Sequence, residues 1–198
     1  MVINSNKRDF KANKLKIGTR GSPLALAQAL EVKKEIIKHH KLNDQSVEII
    51  SISTKGDRVT DRPLTEIGGK GLFTEEIENK LFHNEIDIAV HSMKDMPTEF
   101  PTGLGINTFL KREDFRDSFV SLKYNSINEL PVGAVVGSSS IRRKAQLLSI
   151  RPDLKVVEFR GNVQTRLKKL EDGVADATFL ACAGLIRLGM EAVSYTHL

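Results

Sequence analysis

The sequence predicts an α/β protein of two lobes built on mainly parallel sheet. Three observations carry this. Short β-branched runs alternate with helix-period segments. Each strand-to-helix junction holds Gly, Ser, Ala or Arg rather than a hairpin turn. A charged break over residues 111–117 is followed by a second round of the same alternation, as a hinge between two domains would be. At 198 residues the chain can form one large domain or two small ones.

The elements follow in order. A polar segment over 1–13 lacks the apolar core of a secretory signal. A strand is expected over 15–18. Ser22-Pro23 then opens a helix, with Ser22 as N-cap and Pro23 where its missing N–H is harmless. Leu26, Leu30, Lys33 and Ile37 fall on one face of that helix. A second strand is expected over 47–53. Residues 54–71, rich in Gly, Asp, Arg and Thr, read as a lid-like loop, because structureless connections of that length are uncommon in compact domains. A helix over 72–82, a strand over 86–90 and an extended run over 104–110 complete the first lobe. In the second, strands are expected over 118–122, 134–136, 155–159 and 177–180. Helices are expected over 140–149 and 163–170, with another beginning near Gly184. No internal repeat is visible.

Composition narrows the function. Thirty basic and 25 acidic residues give a net charge of +5, which favours an anionic ligand, but the charges are scattered. Aromatic residues make up 6% and Trp is absent, so a base-stacking platform is poorly supported. The single Cys182 forms no internal disulfide, no Cys/His group has zinc spacing, and no apolar run approaches 18 residues. A reducing cytoplasm is the expected compartment, with no metal, nucleic-acid or membrane partner.

In open α/β sheets, ligands bind beyond the carboxyl ends of the strands, where helix N-termini present N–H groups. Five junctions there carry a cation: Thr19-Arg20-Gly21-Ser22, His91-Ser92-Met93-Lys94-Asp95, Gly137-Ser138-Ser139-Ser140-Ile141-Arg142-Arg143, Arg160-Gly161-Asn162 with Arg166 a turn later, and Ala183-Gly184-Leu185-Ile186-Arg187. Any one arginine can be a solvated surface charge. Five at one topological position predict a cleft holding several carboxylates or phosphates, which guanidinium groups bind in a bidentate way. Gly68-Gly69-Lys70-Gly71 lacks the Ser/Thr and spacing of a phosphate loop and reads as a mobile glycine loop. Asp95, before Met96-Pro97, is either a turn aspartate bonded to its own backbone or an acid that stabilises a cation or moves protons.

These stretches, with Ile17 to Leu26, Gly68 to Phe73 and Ala89 to Pro97, resemble the porphobilinogen deaminase (hydroxymethylbilane synthase) family in order and spacing, from about Leu15 to Val193. The resemblance implies two lobes like type II periplasmic binding proteins: a tail over 1–13, a first domain over 14–112 with lid loop 54–71, a second over 113–193, and residues 194–198 outside the family pattern. It implies a cytoplasmic, monomeric transferase of haem biosynthesis that joins four porphobilinogen units into hydroxymethylbilane. Asp95 is then the catalytic acid, with Lys94 beside it. Arg20, Ser22, Arg160, Arg166, Arg187, Phe73 and Lys70 serve the substrate. Ser92, Ser138, Ser139, Ser140, Arg142 and Arg143 serve the dipyrromethane cofactor. The family attaches that cofactor to a cysteine in a third, C-terminal domain, which is expected to be absent here. Cys182, in the apolar run Phe179-Leu-Ala-Cys-Ala183, is not that attachment point but a core residue. The fragment alone is then expected to be inactive. The rival readings are a non-catalytic binding protein for an anionic solute, and a DNA-binding protein with a recognition helix opening at Ser140. The missing helix-turn-helix pattern argues against the latter.

Overall fold

The computed structural model describes residues 2–3, 14–58, 71–193 and 196–197. The chain divides into two compact units, Met1–Lys111 and Arg112–Leu198. Of the expected features, Lys70, Gly68, Gly69 and most of the loop 54–71 lie outside the described residues, as does most of the tail 1–13.

The first lobe is built around β2 (Leu15–Arg20), whose neighbours are both parallel. β3 (Val47–Ile52) pairs with it from Leu15↔Val47 to Arg20↔Ile52, and β4 (Ile88–Ala89) from Ile17↔Ile88 to Gly18↔Ala89. β1 (Val2–Ile3) closes the far edge antiparallel to β4, giving the order β1-β4-β2-β3. Strands flanked on both sides must be apolar on both faces, and the core divides accordingly. Leu15, Ile17, Val47, Ile88 and Val90 pack under α1 (Pro23–His40), while Ile52, Ala89 and Ile86 meet Ile77 and Leu81 of α3 (Glu75–Phe82) on the other face. The short α2 (Lys55–Arg58) lies between β3 and α3 in sequence.

Ser22 caps α1 by accepting the Ala25 N–H at 3.3 Å, and Pro23 takes the first turn. The buried stripe of α1 differs from the expected Leu26, Leu30, Lys33 and Ile37. Ala29 and Val32 are buried and Ile36 and Ile37 pack beside them, whereas Leu30 is 49% exposed and Lys33 pairs with Asp44 at 3.0 Å. The small Ala29 lets the helix approach the sheet, which outweighs the larger side chains one turn away. The run over 104–110 is no strand: Leu104 and Ile106 pack on the core, but Phe109 is exposed.

The second lobe repeats the plan. β6 (Val135–Gly137) has parallel neighbours β7 (Lys155–Val157) and β8 (Ala177–Ala181), and β5 (Asp117–Ser121) runs antiparallel beside β8. With β9 (Thr196–His197) on β5, the order is β7-β6-β8-β5-β9. The helices are α4 (Ile141–Ile150), α5 (Val163–Glu171) and α6 (Cys182–Arg187). Phe119 and Phe179 meet edge to face at 5.9 Å on one side of the sheet; Val120, Phe159 and Leu180 fill the other.

One aspartate in each lobe performs the same task. Asp87 accepts the Lys16 N–H at 2.9 Å and donates its own N–H to the Lys16 carbonyl, just as Asp176 does with Val135. The repeat absent from the residue pattern is therefore present in topology and in this aspartate clasp, because parallel-sheet geometry constrains hydrogen bonding far more than side-chain identity.

Candidate functional site

In the first lobe, Arg20 ends β2, where the parallel strands deliver their carboxyl ends. Its guanidinium lies 4.1 Å over the Phe73 ring. Its Nε donates to both Asp57 carboxylate oxygens at 3.1 and 3.2 Å, and its Nη2 also bonds Asp57. Nη1 faces Asp95 Oδ2 at 3.6 Å, an ion pair without a hydrogen bond. Asp57 is held in turn by the Thr54 hydroxyl at 2.7 Å. Burial opposes its charge, but the Arg20 and Thr54 hydrogen bonds outweigh burial and hold the carboxyl below its ordinary value.

Asp95 and Lys94 share one 3₁₀ turn, Met93–Asp95, that follows β4. Asp95 is partly buried and Lys94 is exposed, so the acid has a defined partner and the lysine faces solvent. Ser92 donates to Gln28 Oε1 of α1 at 3.0 Å, which ties this turn to the helix. Burial, with the Arg20 charge adding to it, pushes His91 down to about 4, so its ring is neutral near pH 7. Ser22 is occupied as the α1 cap, with its own O–H left as a donor.

In the second lobe, Asp117 opens β5 and bridges two arginines from the first turn of α4. Arg142 Nη2 reaches Oδ2 at 2.6 Å and Arg143 Nη2 reaches Oδ1 at 2.5 Å. The neighbours differ in kind. Arg143 is 12% exposed and also donates to the Phe179 carbonyl at 2.8 Å; Arg142 is 60% exposed. Cations at a helix N-terminus oppose the helix dipole, so Asp117 is the counter-charge that lets both sit there. Burial again opposes ionisation of Asp117, and the two arginines overcome it and hold its carboxyl below the ordinary value.

Three serine hydroxyls accept backbone N–H groups: Ser138 from Ser140 at 3.2 Å, Ser139 from Phe159 at 3.0 Å, and Ser140 from Arg143 at 3.4 Å as the α4 cap. Each spends a lone pair and keeps its O–H as a donor, as anion recognition requires. Asn162 caps α5 by accepting the Thr165 N–H at 2.8 Å, and Gly161 at φ +121° turns the chain there. A Cβ on Gly161 would lie 2.6 Å from Thr165 Cγ2. Arg166 Nε donates to the Gly161 carbonyl at 2.9 Å; burial first, then the Arg143 charge, lowers its proton affinity. Arg160 precedes that turn, and its carbonyl accepts Lys169 Nζ at 3.0 Å. α6 begins at Cys182, earlier than expected, so Arg187 sits at its last residue rather than at the junction.

The structure thus gathers Arg20, Phe73 and Asp95 in one lobe and Arg142, Arg143 and Arg166 in the other. Asp57 and Asp117, the carboxylates that organise both groups, were missed by sequence reasoning. Asp57 looked like one loop acid among several, and Asp117 like part of the charged break. The usable signal for Asp117 was a carboxylate directly ahead of a strand-forming run. No group of three or more His, Cys, Asp or Glu able to hold a metal occurs among the described residues. None of their helices is long and apolar enough to cross a membrane.

Residues 15–198 match the family described as porphobilinogen deaminase, dipyromethane cofactor binding domain. The chain is 67% identical over 178 residues to the porphobilinogen deaminase of Paracoccus denitrificans, covering 90% of this chain and 57% of that protein. It therefore spans little more than half the length of this curated relative. Among solved structures, a lipoprotein of Clostridium difficile is similar with a TM-score of 0.50 at 17% identity, covering 94% of this chain and 76% of that one. A periplasmic substrate-binding protein of Coxiella burnetii gives 0.46 at 15% identity, covering 93% and 79%. At 17% identity, the likeness to the Clostridium difficile lipoprotein shows the fold alone, an α/β fold with mainly parallel sheets. With 67% identity to one member over 178 residues and the family match running from β2 onward, the chain belongs to the porphobilinogen deaminase family.

Proposed function

We propose that this chain supplies the first two lobes of a hydroxymethylbilane synthase, which condenses four porphobilinogen units with loss of ammonia. The observation that carries the reading is the opposite charge of the two groups. In the first lobe, Arg20 between Asp57 and Asp95 leaves one positive and two negative charges, a net −1. In the second, Arg142 and Arg143 around Asp117 leave a net +1, with Arg166 adding to it. A negative centre suits a cation forming on a pyrrole; a positive one suits the acetate and propionate carboxylates that each unit brings.

Loss of ammonia from porphobilinogen breaks its C–N bond and leaves an azafulvenium cation. A pyrrole α-carbon attacks the cation to form the new C–C bond and then releases its α-proton, which restores the aromatic ring. Asp95 accepts the pyrrole N–H and opposes the positive charge. A carboxylate about 4 Å from a unit charge contributes about 4 kcal/mol at an effective dielectric of 20, before desolvation. Arg20 Nη1, 3.6 Å away, pairs with Asp95 without a hydrogen bond and leaves its oxygens open to the substrate. Arg142, Arg160, Arg166 and Arg187 bind carboxylates, the hydroxyls of Ser138 to Ser140 donate to them, and Phe73 borders the substrate.

Dipyrromethane fits the second lobe by the same chemistry, through the exposed Arg142 guanidinium and the serine O–H groups. When bound, it supplies the first nucleophilic pyrrole carbon. Cys182 does not fit as its attachment point: it is 3% exposed, with Sγ 3.6 Å from Ser118 Oγ.

The test incubates the intact gene product with porphobilinogen. Disappearance of the Ehrlich-reactive pyrrole with stoichiometric ammonia supports the enzyme. Saturable binding with no ammonia released supports a solute-binding protein instead.

A further inference from the structure

We propose that Asp57 is a positioning residue that draws the Arg20 guanidinium away from Asp95, leaving that acid available to a substrate cation. The proposal rests on the role given above to Asp95.

A guanidinium offers two N–H pairs to carboxylates, along its Nε–Nη2 and its Nη1–Nη2 edge. Here Asp57 takes the Nε–Nη2 edge through three hydrogen bonds, while Asp95 is left at 3.6 Å from Nη1 with none. Asp57 can compete because its own place is set in advance. The Thr54 hydroxyl, fully buried, donates to Oδ2 at 2.7 Å, and the Thr54 N–H lies 3.4 Å from the same oxygen. Phe73 covers one face of the guanidinium, with Cζ 4.1 Å from the ring centroid. Phe73 is itself seated against Gly56, the residue before Asp57: a Cβ there would lie 2.3 Å from the ring. The Gly56 N–H also donates to the Leu72 carbonyl at 2.7 Å. One four-residue stretch, Thr54 to Asp57, therefore sets both the direction and the stacking of Arg20.

Without the Asp57 charge, Arg20 is free to close on Asp95 and neutralise it. Turnover should then suffer more than binding. In the intact gene product, Asp57→Asn should lower kcat by at least about tenfold while KM moves less than about threefold, as misplacement of a reacting group does. In an Arg20→Leu background, Asp57→Asn should add no further loss, because the residue acts through that guanidinium. A kcat within about twofold of wild type, or an equal loss in both backgrounds, overturns the proposal. Should Asp57→Asn fail to fold, Thr54→Val removes only the hydroxyl that fixes Asp57 and should lower kcat in the same direction; an unchanged kcat overturns the proposal. The Arg20 Nε–H resonance provides a readout independent of substrate. If wild type does not consume porphobilinogen, the enzyme reading fails. A resonance that still moves on Asp57→Asn upholds the Asp57–Arg20 clamp, and one that stays put overturns it.

Discussion

Arg142 and Arg143 are adjacent, share one carboxylate, and should behave oppositely when cut back. Arg143 is 12% exposed and bonded to Asp117 and to the Phe179 carbonyl, so Arg143→Leu leaves a buried carboxylate without its better-shielded partner. A loss of about 3 kcal/mol in urea unfolding is expected, in the range for breaking a buried pair. Arg142, 60% exposed, should cost less than about 1 kcal/mol as Leu yet weaken porphobilinogen or cofactor binding severalfold. Equal losses of stability in the two variants would remove this division. His91 gives a second test. Its value of about 4 lies below the ordinary 6.5, so as pH falls the unfolded chain takes up the proton first. Stability is complete above 6.5 and drains between 6.5 and about 4. Thermal melts at pH 7 and pH 5 should separate by less in His91→Gln than in wild type. The arginines were legible in the sequence because their type and junction positions name their chemistry. Their division into buried and exposed was not, since it depends on Asp117, a residue brought to them across 25 positions of chain.

At the scale of elements, the strand–helix order was legible from β2 to α6 apart from α2, and β1 and β9 fall in segments read as tails; the caps at Ser22 and Ser140 sit where residue type places them. The errors lie at strand ends and on helix faces. The expected strand over 86–90 shortens to two residues in formal pairing, although the Asp87 and Val90 N–H groups continue the ladder to β2. The α1 stripe runs through Ala29 and Val32 rather than Leu26 and Leu30, because the small Ala29 allows a closer approach to the sheet. Asn162, read as part of a binding motif, is a helix cap. Gly161→Ala should destabilise by about 1–3 kcal/mol, because its positive φ and the crowding by Thr165 both reject a Cβ. Chemical denaturation measures this, and a neutral result would show that the turn can relax. Gly56→Ala should instead act on the site: with the Phe73 ring displaced, Arg20 loses its stacking partner, and turnover should fall more than the melting temperature.

Over the whole molecule, one topology is used twice, with an aspartate clasp repeated at Asp87 and Asp176, but the two copies carry groups of opposite net charge. Under the proposed function, cation stabilisation belongs to the first lobe, at Asp95, and carboxylate binding to the second. Porphobilinogen turnover by Asp95→Asn in the intact gene product tests this most directly. The change keeps shape and removes charge, so turnover should fall by about 100-fold or more with the melting temperature unchanged. Turnover within about twofold of wild type would show that the acid does not oppose the developing cation, and the account would be wrong at its centre.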